Sequence, residues 1–97
     1  MSLEQVRNIA YKKKLINNDN ELKHSTRKGK RFMILHNDKW IHFGAYPFTG
    51  FGTFLDHNDK DIKKQWRARH SKIMKDGEPA YKNKSSPEYY SWRILWG

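Results

Sequence analysis

Apolar positions recur along this 97-residue chain in distinct rhythms, and each rhythm predicts an element. Leu3, Val6, Ile9 and Ala10 fall at helical spacing behind Ser2, with Gln5 three residues on as a capping-box partner, which predicts a short amphipathic helix over about residues 3–14. Asn17, Asn18, Asp19 and Asn20 break it, and the polar, basic stretch from His24 to Lys30, punctuated by Gly29, reads as a linker or arm. From Arg31 the pattern becomes that of strands: Phe32, Met33, Ile34 and Leu35, a turn at Asn37-Asp38-Lys39, then Trp40, Ile41, His42, Phe43 and Gly44. Two such runs about a short Asn/Asp turn predict a β-hairpin over about residues 31–45. Between Tyr46 and Phe54 three breakers stand among four aromatic residues, predicting an ordered loop pinned by its rings.

A second helix is expected over about residues 58–75, with Asn58 or Asp59 as its cap. On a helical wheel Ile62, Trp66, Arg69, His70 and Ile73 share one arc, and Lys60, Lys63, Lys64, Arg67, Ser71 and Lys75 lie opposite. The run Lys75-Asp76-Gly77-Glu78-Pro79 should terminate it. Ser86 can cap a last short helix with Pro87 at its first position and Glu88 in its first turn, carrying Tyr89, Tyr90, Trp92, Ile94, Leu95 and Trp96 into the core. The expected architecture is a small α+β domain: the hairpin packed with a basic amphipathic helix and flanked by short helices. Residues 1–24 are expected to be an N-terminal helix and polar linker, and residues 25–97 the domain proper.

Composition changes this picture in two ways. Aliphatics are sparse, so four Trp, five Tyr and five Phe must supply much of the core. Twenty Lys and Arg against ten Asp and Glu give a formal charge of +10, concentrated in two blocks: Arg27, Lys28, Lys30 and Arg31, and the helix bearing Lys60, Lys63, Lys64, Arg67, Arg69, Lys72 and Lys75. A chain this small carries such self-repulsion most simply for a polyanionic partner, and nucleic acid, DNA before RNA, is the expected one. The nine of these other than Arg69 and Lys72 are the candidate nucleic-acid contacts. They suit phosphate neutralisation, since nothing marks any Asn or Gln for reading base edges. The alternative for each block is an ordinary solvated charged face. The Phe48, Phe51 and Phe54 rings could stack on unpaired bases, although a domain this poor in aliphatics also needs rings inside.

Cysteine is absent, which removes disulfides and thiolate metal sites, and no apolar run reaches the ~18–20 residues of a membrane span. The chain is expected to be neither secreted nor membrane-bound. His42, Asp56, His57, Asp59 and His70 form the only group resembling a reactive site. A hairpin followed by loop and helix is the outline of the ββα metal nucleases, with His57 as base and Asp59 or His70 as ligand. No zinc spacing or nucleophile elbow supports catalysis, and the plainer roles of Asp56 and Asp59 are cap and turn. No enzyme, cofactor, metal or small-molecule substrate is therefore expected.

The succession Ser25-Thr26-Arg27-Lys28-Gly29-Lys30-Arg31, Lys39 with Ile41-His42-Phe43-Gly44, His57 to Asp59, Arg67-Ala68-Arg69-His70 and Ser91-Trp92-Arg93-Ile94-Leu95-Trp96 resembles a small uncharacterised protein family of giant DNA viruses and some tailed phages. The likeness covers about residues 25–97, with Phe51-Gly52-Thr53-Phe54 and His57-Asn58-Asp59 departing from the family's usual pattern. It implies a viral source and a place in the virion or the host cell interior, either beside the packaged genome or as a minor capsid or cement protein contacting other virion proteins. It implies no activity.

Overall fold

Ser2 accepts a hydrogen bond from the Gln5 N–H at 3.1 Å and opens α1, Leu3–Lys12, in the computed structural model, which describes residues 2–45 and 53–97. Val6 and Ala10 on its inner face are fully buried, with Leu3 and Ile9 packed beside them. The Asn-rich stretch does break the helix, in a single 3₁₀ turn at Asp19–Glu21 where the Glu21 carboxylate accepts the Asn18 N–H at 3.0 Å. Beyond this turn the chain is not wholly the linker or arm expected of it. Leu22–His24 is a strand, β1, paired antiparallel to the hairpin in the register Leu22↔Ile34 and His24↔Phe32. Three residues are too few for alternation to show in the sequence, yet Leu22, fully buried against the hairpin's inner face, suffices to dock them.

The hairpin itself is β2, Lys30–His36, and β3, Lys39–Ala45, giving a three-stranded sheet in the order β1-β2-β3. Asn37 and Asp38 both take positive φ (49° and 62°), the geometry of the two-residue turn whose twist suits a hairpin. Period-two alternation then sends Phe32, Ile34, Ile41 and Phe43 to the core, and Met33, Leu35, Trp40 and His42 to the other face. Gly44 sits at φ +80°, and a Cβ there would lie 3.1 Å from Leu95 Cδ1 and 3.3 Å from Arg31 Cβ, so β3 passes the C-terminal segment closely at this point.

The expected aromatic loop, including Tyr46, Phe48 and Phe51, lies outside the described residues apart from its end. There Thr53 precedes α2, Phe54–His57, and Asn58 in the left-handed conformation (φ 57°) redirects the chain. Asp59 accepts the N–H groups of Asp61 and Ile62 and so caps α3, Lys60–His70. This helix is shorter than the 58–75 expected from the sequence. Met74–Lys75 (β4) and Glu78–Pro79 (β5) instead form a miniature hairpin around Asp76-Gly77, whose φ values of 53° and 82° show that the dipeptide acts as a hairpin turn and not merely as a helix stop. Ala80–Lys82 makes a 3₁₀ turn, then Ser86 caps α4, Pro87–Tyr90, as expected, and the chain continues as a π-helical segment over Ser91–Leu95.

One buried cluster joins Val6, Ala10 and Ile16 with the sheet's Leu22, Phe32, Ile34, Ile41 and Phe43, with Trp66, and with Tyr89, Tyr90, Ile94, Leu95 and Trp96. The fold is thus a small α+β domain, and the Tyr90 hydroxyl inside it donates to the Lys84 carbonyl at 2.7 Å. Burial, and after it the charge of Tyr89, pushes the Tyr90 phenol up to about 12. Among the described residues no helix is long and apolar enough to cross a membrane.

Candidate nucleic-acid interface

The nine candidate cations divide into two kinds. In the β1–β2 connection Arg27 and Lys28 are exposed, and Lys30 is half-buried at the start of β2. The Arg27 N–H donates to Ser25 Oγ at 3.0 Å, and the Ser25 hydroxyl meets His42 Nδ1 at 2.7 Å, which fastens the turn to β3. Burial of His42, then the charges of Arg27 and Lys30, hold its imidazole below the usual histidine range. Beside it Lys23 reaches across the sheet's outer face to the Trp40 ring, 5.5 Å from the centroid. Arg31 belongs to the other kind. It donates to Asp56 at 3.2 Å with both side chains largely buried, and its guanidinium lies over Phe32. Burial alone would push the Asp56 carboxyl up, but hydrogen bonds from the Thr53 N–H and hydroxyl, together with Arg31, outweigh it and hold the group below the usual carboxylate range.

On α3 the packed stripe is rotated from the expected arc. Trp66 is buried with Ile62 and His70 half-buried, but Arg69 and Ile73 are exposed, and Lys63 and Arg67 lie on the packed side. The reason is aromatic. The aliphatic stems of these two cations cover ring surface while their heads remain charged: Lys63 stands over Phe54 at 4.4 Å and donates to the Gly97 carbonyl, and Arg67 lies over Trp92 at 4.9 Å and donates through Nε to the Trp96 carbonyl. Lys60 and Lys64 are left as the exposed candidates of this helix, and Lys75 is half-buried in β4. Phe54, a candidate stacking ring by its sequence position, is the ring beneath Lys63.

Arg67 also belongs to a second gathering of cations, most of them outside the nine candidates. Lys13, Arg67, Lys82 and Arg93 line a cleft of about 510 Å³ with Tyr81, Tyr89 and Trp92. The Lys13 amine donates to the Arg93 carbonyl, tying the end of α1 to the C-terminal segment. Burial, followed by repulsion from Arg93, Arg67 and Lys63, lowers the Lys13 amine below its usual range. These residues come from four separate stretches of chain, so only the alternation of Tyr, Trp and Arg near the C-terminus could have drawn attention to them.

The histidines and aspartates of the suggested reactive group are not brought together. Asp56 serves Thr53 and Arg31, and Asp59 caps α3 while its own N–H donates to His57 Nδ1 at 2.8 Å. That bond makes Nδ1 the acceptor and places the proton of a neutral His57 on Nε2, which is buried between Phe54 and Trp96 with no hydrogen-bond partner among the described residues. His70 is stacked on Trp66 at 3.9 Å and meets both Glu88 oxygens at 3.0 Å. Among the described residues no group of three His, Asp or Glu could hold a metal ion.

Comparison with curated proteins and with solved structures finds no match for the chain. A family model described as a family of unknown function, DUF5754, matches residues 20–70, which takes in the three-stranded sheet and runs to the end of α3. The match covers more than half of the chain, and the protein belongs to the DUF5754 family.

Proposed function

We propose that the protein binds nucleic acid through phosphate contacts, without strong sequence preference and without catalysis. The observation carrying this reading is the lack of compensation for its charge. The formal net charge is +10, yet Arg31–Asp56 is the one side-chain ion pair of a Lys or Arg among the described residues, and most other Lys and Arg are exposed. Each cation that neutralises a phosphate releases condensed counterion and adds affinity that depends on salt rather than on base sequence. Exposed Arg27 and Lys28 at the sheet and Lys60 and Lys64 on α3 are the principal contacts, with Lys30 and Lys75 contributing. Arg31, Lys63 and Arg67, which share the same two basic blocks, act first in holding the fold and the C-terminal segment.

The resemblance to a family of giant DNA viruses and tailed phages supports a virion setting beside the packaged genome. A second reading, a minor capsid or cement protein, is favoured by adjacent Ile73 and Met74, which are 41% and 59% exposed. The two readings separate in one experiment. Duplexes of unrelated sequence should bind with similar affinity and a steep salt dependence. Changing Arg27, Lys28, Lys60 and Lys64 together to Gln should lower the slope of log affinity against log salt by about 0.9 for each phosphate no longer neutralised. Affinity unchanged in a folded quadruple variant would refute the assignment and leave the capsid reading.

A further inference from the structure

The cleft between α3 and the C-terminal segment combines two things that charged surfaces rarely combine. Its floor and walls are aromatic: Tyr81 stacks on Trp92 at 4.2 Å with 19° between the planes, Trp92 contacts Trp66, and Tyr89 packs edge-on against Tyr90. Its charged groups are cationic: Arg67 stands over Trp92, Arg93 over Tyr89 at 4.8 Å, and Lys82 over Tyr81 at 5.6 Å, and Lys13 lines it as well. Among the described residues no acidic side chain lines it, and none of the four cations takes part in an ion pair.

Four like charges around one cleft repel one another, and Arg93 and Arg67 add to burial in lowering the Lys13 amine. The arrangement is relieved by an anion, and a multiply charged one suits four cations better than a single carboxylate. The rings add a second requirement: Trp92 is covered by Tyr81 and Arg67, but the face of Tyr81 turned away from Trp92 carries only the exposed Lys82, and a planar group can lie there while a plain inorganic anion gains nothing from it. A cavity of about 510 Å³ is within the range of sites that enclose a small organic ligand.

We infer that this cleft is a binding site for a nucleoside phosphate, its base on the face of Tyr81 turned away from Trp92 and its phosphate among Lys13, Arg67, Lys82 and Arg93. The ligand is either a free nucleotide or the phosphorylated end of a strand. The inference does not depend on phosphate-backbone binding at the sheet and α3, because most of these side chains lie outside the cations assigned to that surface.

The test titrates the full-length chain with adenosine 5′-monophosphate and follows the indole and ring resonances of Trp92, Tyr81 and Tyr89 by NMR. Saturable shifts confined to the cleft are expected, with adenosine and inorganic phosphate each binding at least about tenfold more weakly, because each lacks one of the two interactions. Lys82→Gln and Arg93→Gln, at exposed positions and checked for an unchanged melting curve, should each weaken binding several-fold. Arg27→Gln with Lys60→Gln should leave it unchanged, so backbone binding can fail while the cleft holds. A thymidine oligonucleotide with and without a 5′-phosphate then identifies the source: preference for the phosphorylated end assigns a strand terminus, and equal binding assigns the free nucleotide. Absence of saturation, equal response to inorganic phosphate, or indifference to both cleft variants would overturn the inference.

Discussion

The turn between β1 and β2 and the cleft beside α3 are both basic and both lie against aromatic residues, but they are built in opposite ways. Arg27, Lys28 and Lys30 are neighbours in sequence, displayed on a turn that Ser25 and His42 fasten to the sheet. Lys13, Arg67, Lys82 and Arg93 are brought together only by folding, each held by a ring or a carbonyl of another residue. A charge cluster made by sequence survives most changes elsewhere in the molecule. One made by tertiary structure depends on the packing beneath it.

The largest expected effect tests that dependence. Trp96 is buried, stacked on Trp66 at 4.6 Å and in contact with His57, so Trp96→Ala should cost about 3–5 kcal/mol, comparable with much of the stability of a domain this size. Thermal melting should show a transition shifted far below that of the wild type or too weak to be cooperative. Undiminished melting would mean that the C-terminal segment is not the foundation of the cleft.

Extremes of pH should attack the two regions from opposite sides. Tyr90 beneath the cleft keeps its proton in the folded state up to about 12, against 10.0 for an ordinary phenol. The folded state is therefore favoured in full below pH 10 and loses roughly 2–3 kcal/mol as pH rises from about 10 through 12, where the unfolded phenol ionises first. Denaturant melts across that interval should show the loss in the wild type and much less of it in Tyr90→Phe. An identical pH dependence in the two would contradict the burial account.

Within the turn's own block a smaller contrast is expected. Arg31→Gln leaves the Asp56 carboxylate largely buried without its cation and should cost about 1–3 kcal/mol, whereas Arg27→Gln, on an exposed side chain, should change stability by less than about 0.5 kcal/mol. Equal melting curves for the two variants would remove the distinction drawn between structural and displayed cations.

The smallest effect concerns His42. Its imidazole is held below the ordinary 6.5 by burial and by Arg27 and Lys30, so the stability it contributes is present above that pH and declines as pH falls through it, where the unfolded chain takes up the proton first. Replacing Arg27 and Lys30 with Gln should raise the His42 titration midpoint seen by NMR, and binding of a polyanion at the turn should move it in the same direction. A midpoint indifferent to both would place the bound phosphates elsewhere.

The same contrast between local and tertiary construction governs how much of the molecule is legible in its sequence. The hairpin is legible because the apolar runs Phe32–Leu35 and Trp40–Phe43 about an Asn-Asp turn have one structural reading, and the caps at Ser2, Asp59 and Ser86 are legible because a cap is a local matter. β1 is hidden because its signal is the single apolar residue Leu22 matched to Ile34 across the sheet. The end of α3 is ambiguous because Asp-Gly serves equally as helix stop and hairpin turn, and only the position of Glu78 opposite Lys75 decides between them. Lys63 and Arg67 fall on the solvent face of a wheel plot because such a plot treats charge as a reason for exposure, while Phe54 and Trp92 offer these side chains ring surface. The cleft is legible only as an alternation of Tyr, Trp and Arg near the C-terminus, since Lys13, Arg67 and Lys82 join those residues only in three dimensions.

The distribution of the four tryptophans equips the protein with its own optical reporters. Trp66 lies between His70 and Trp96 and touches Trp92, so three indoles share one coupled aromatic assembly bordering the cleft, while Trp40 stands apart on the outer face of the sheet under Lys23. Near-ultraviolet circular dichroism should be dominated by exciton coupling within that assembly, and a Trp40→Phe variant should leave an emission spectrum that reports on the cleft alone. The difference between the two emission spectra would then follow the sheet's outer face, and occupancy of the two regions could be watched separately in one unlabelled sample.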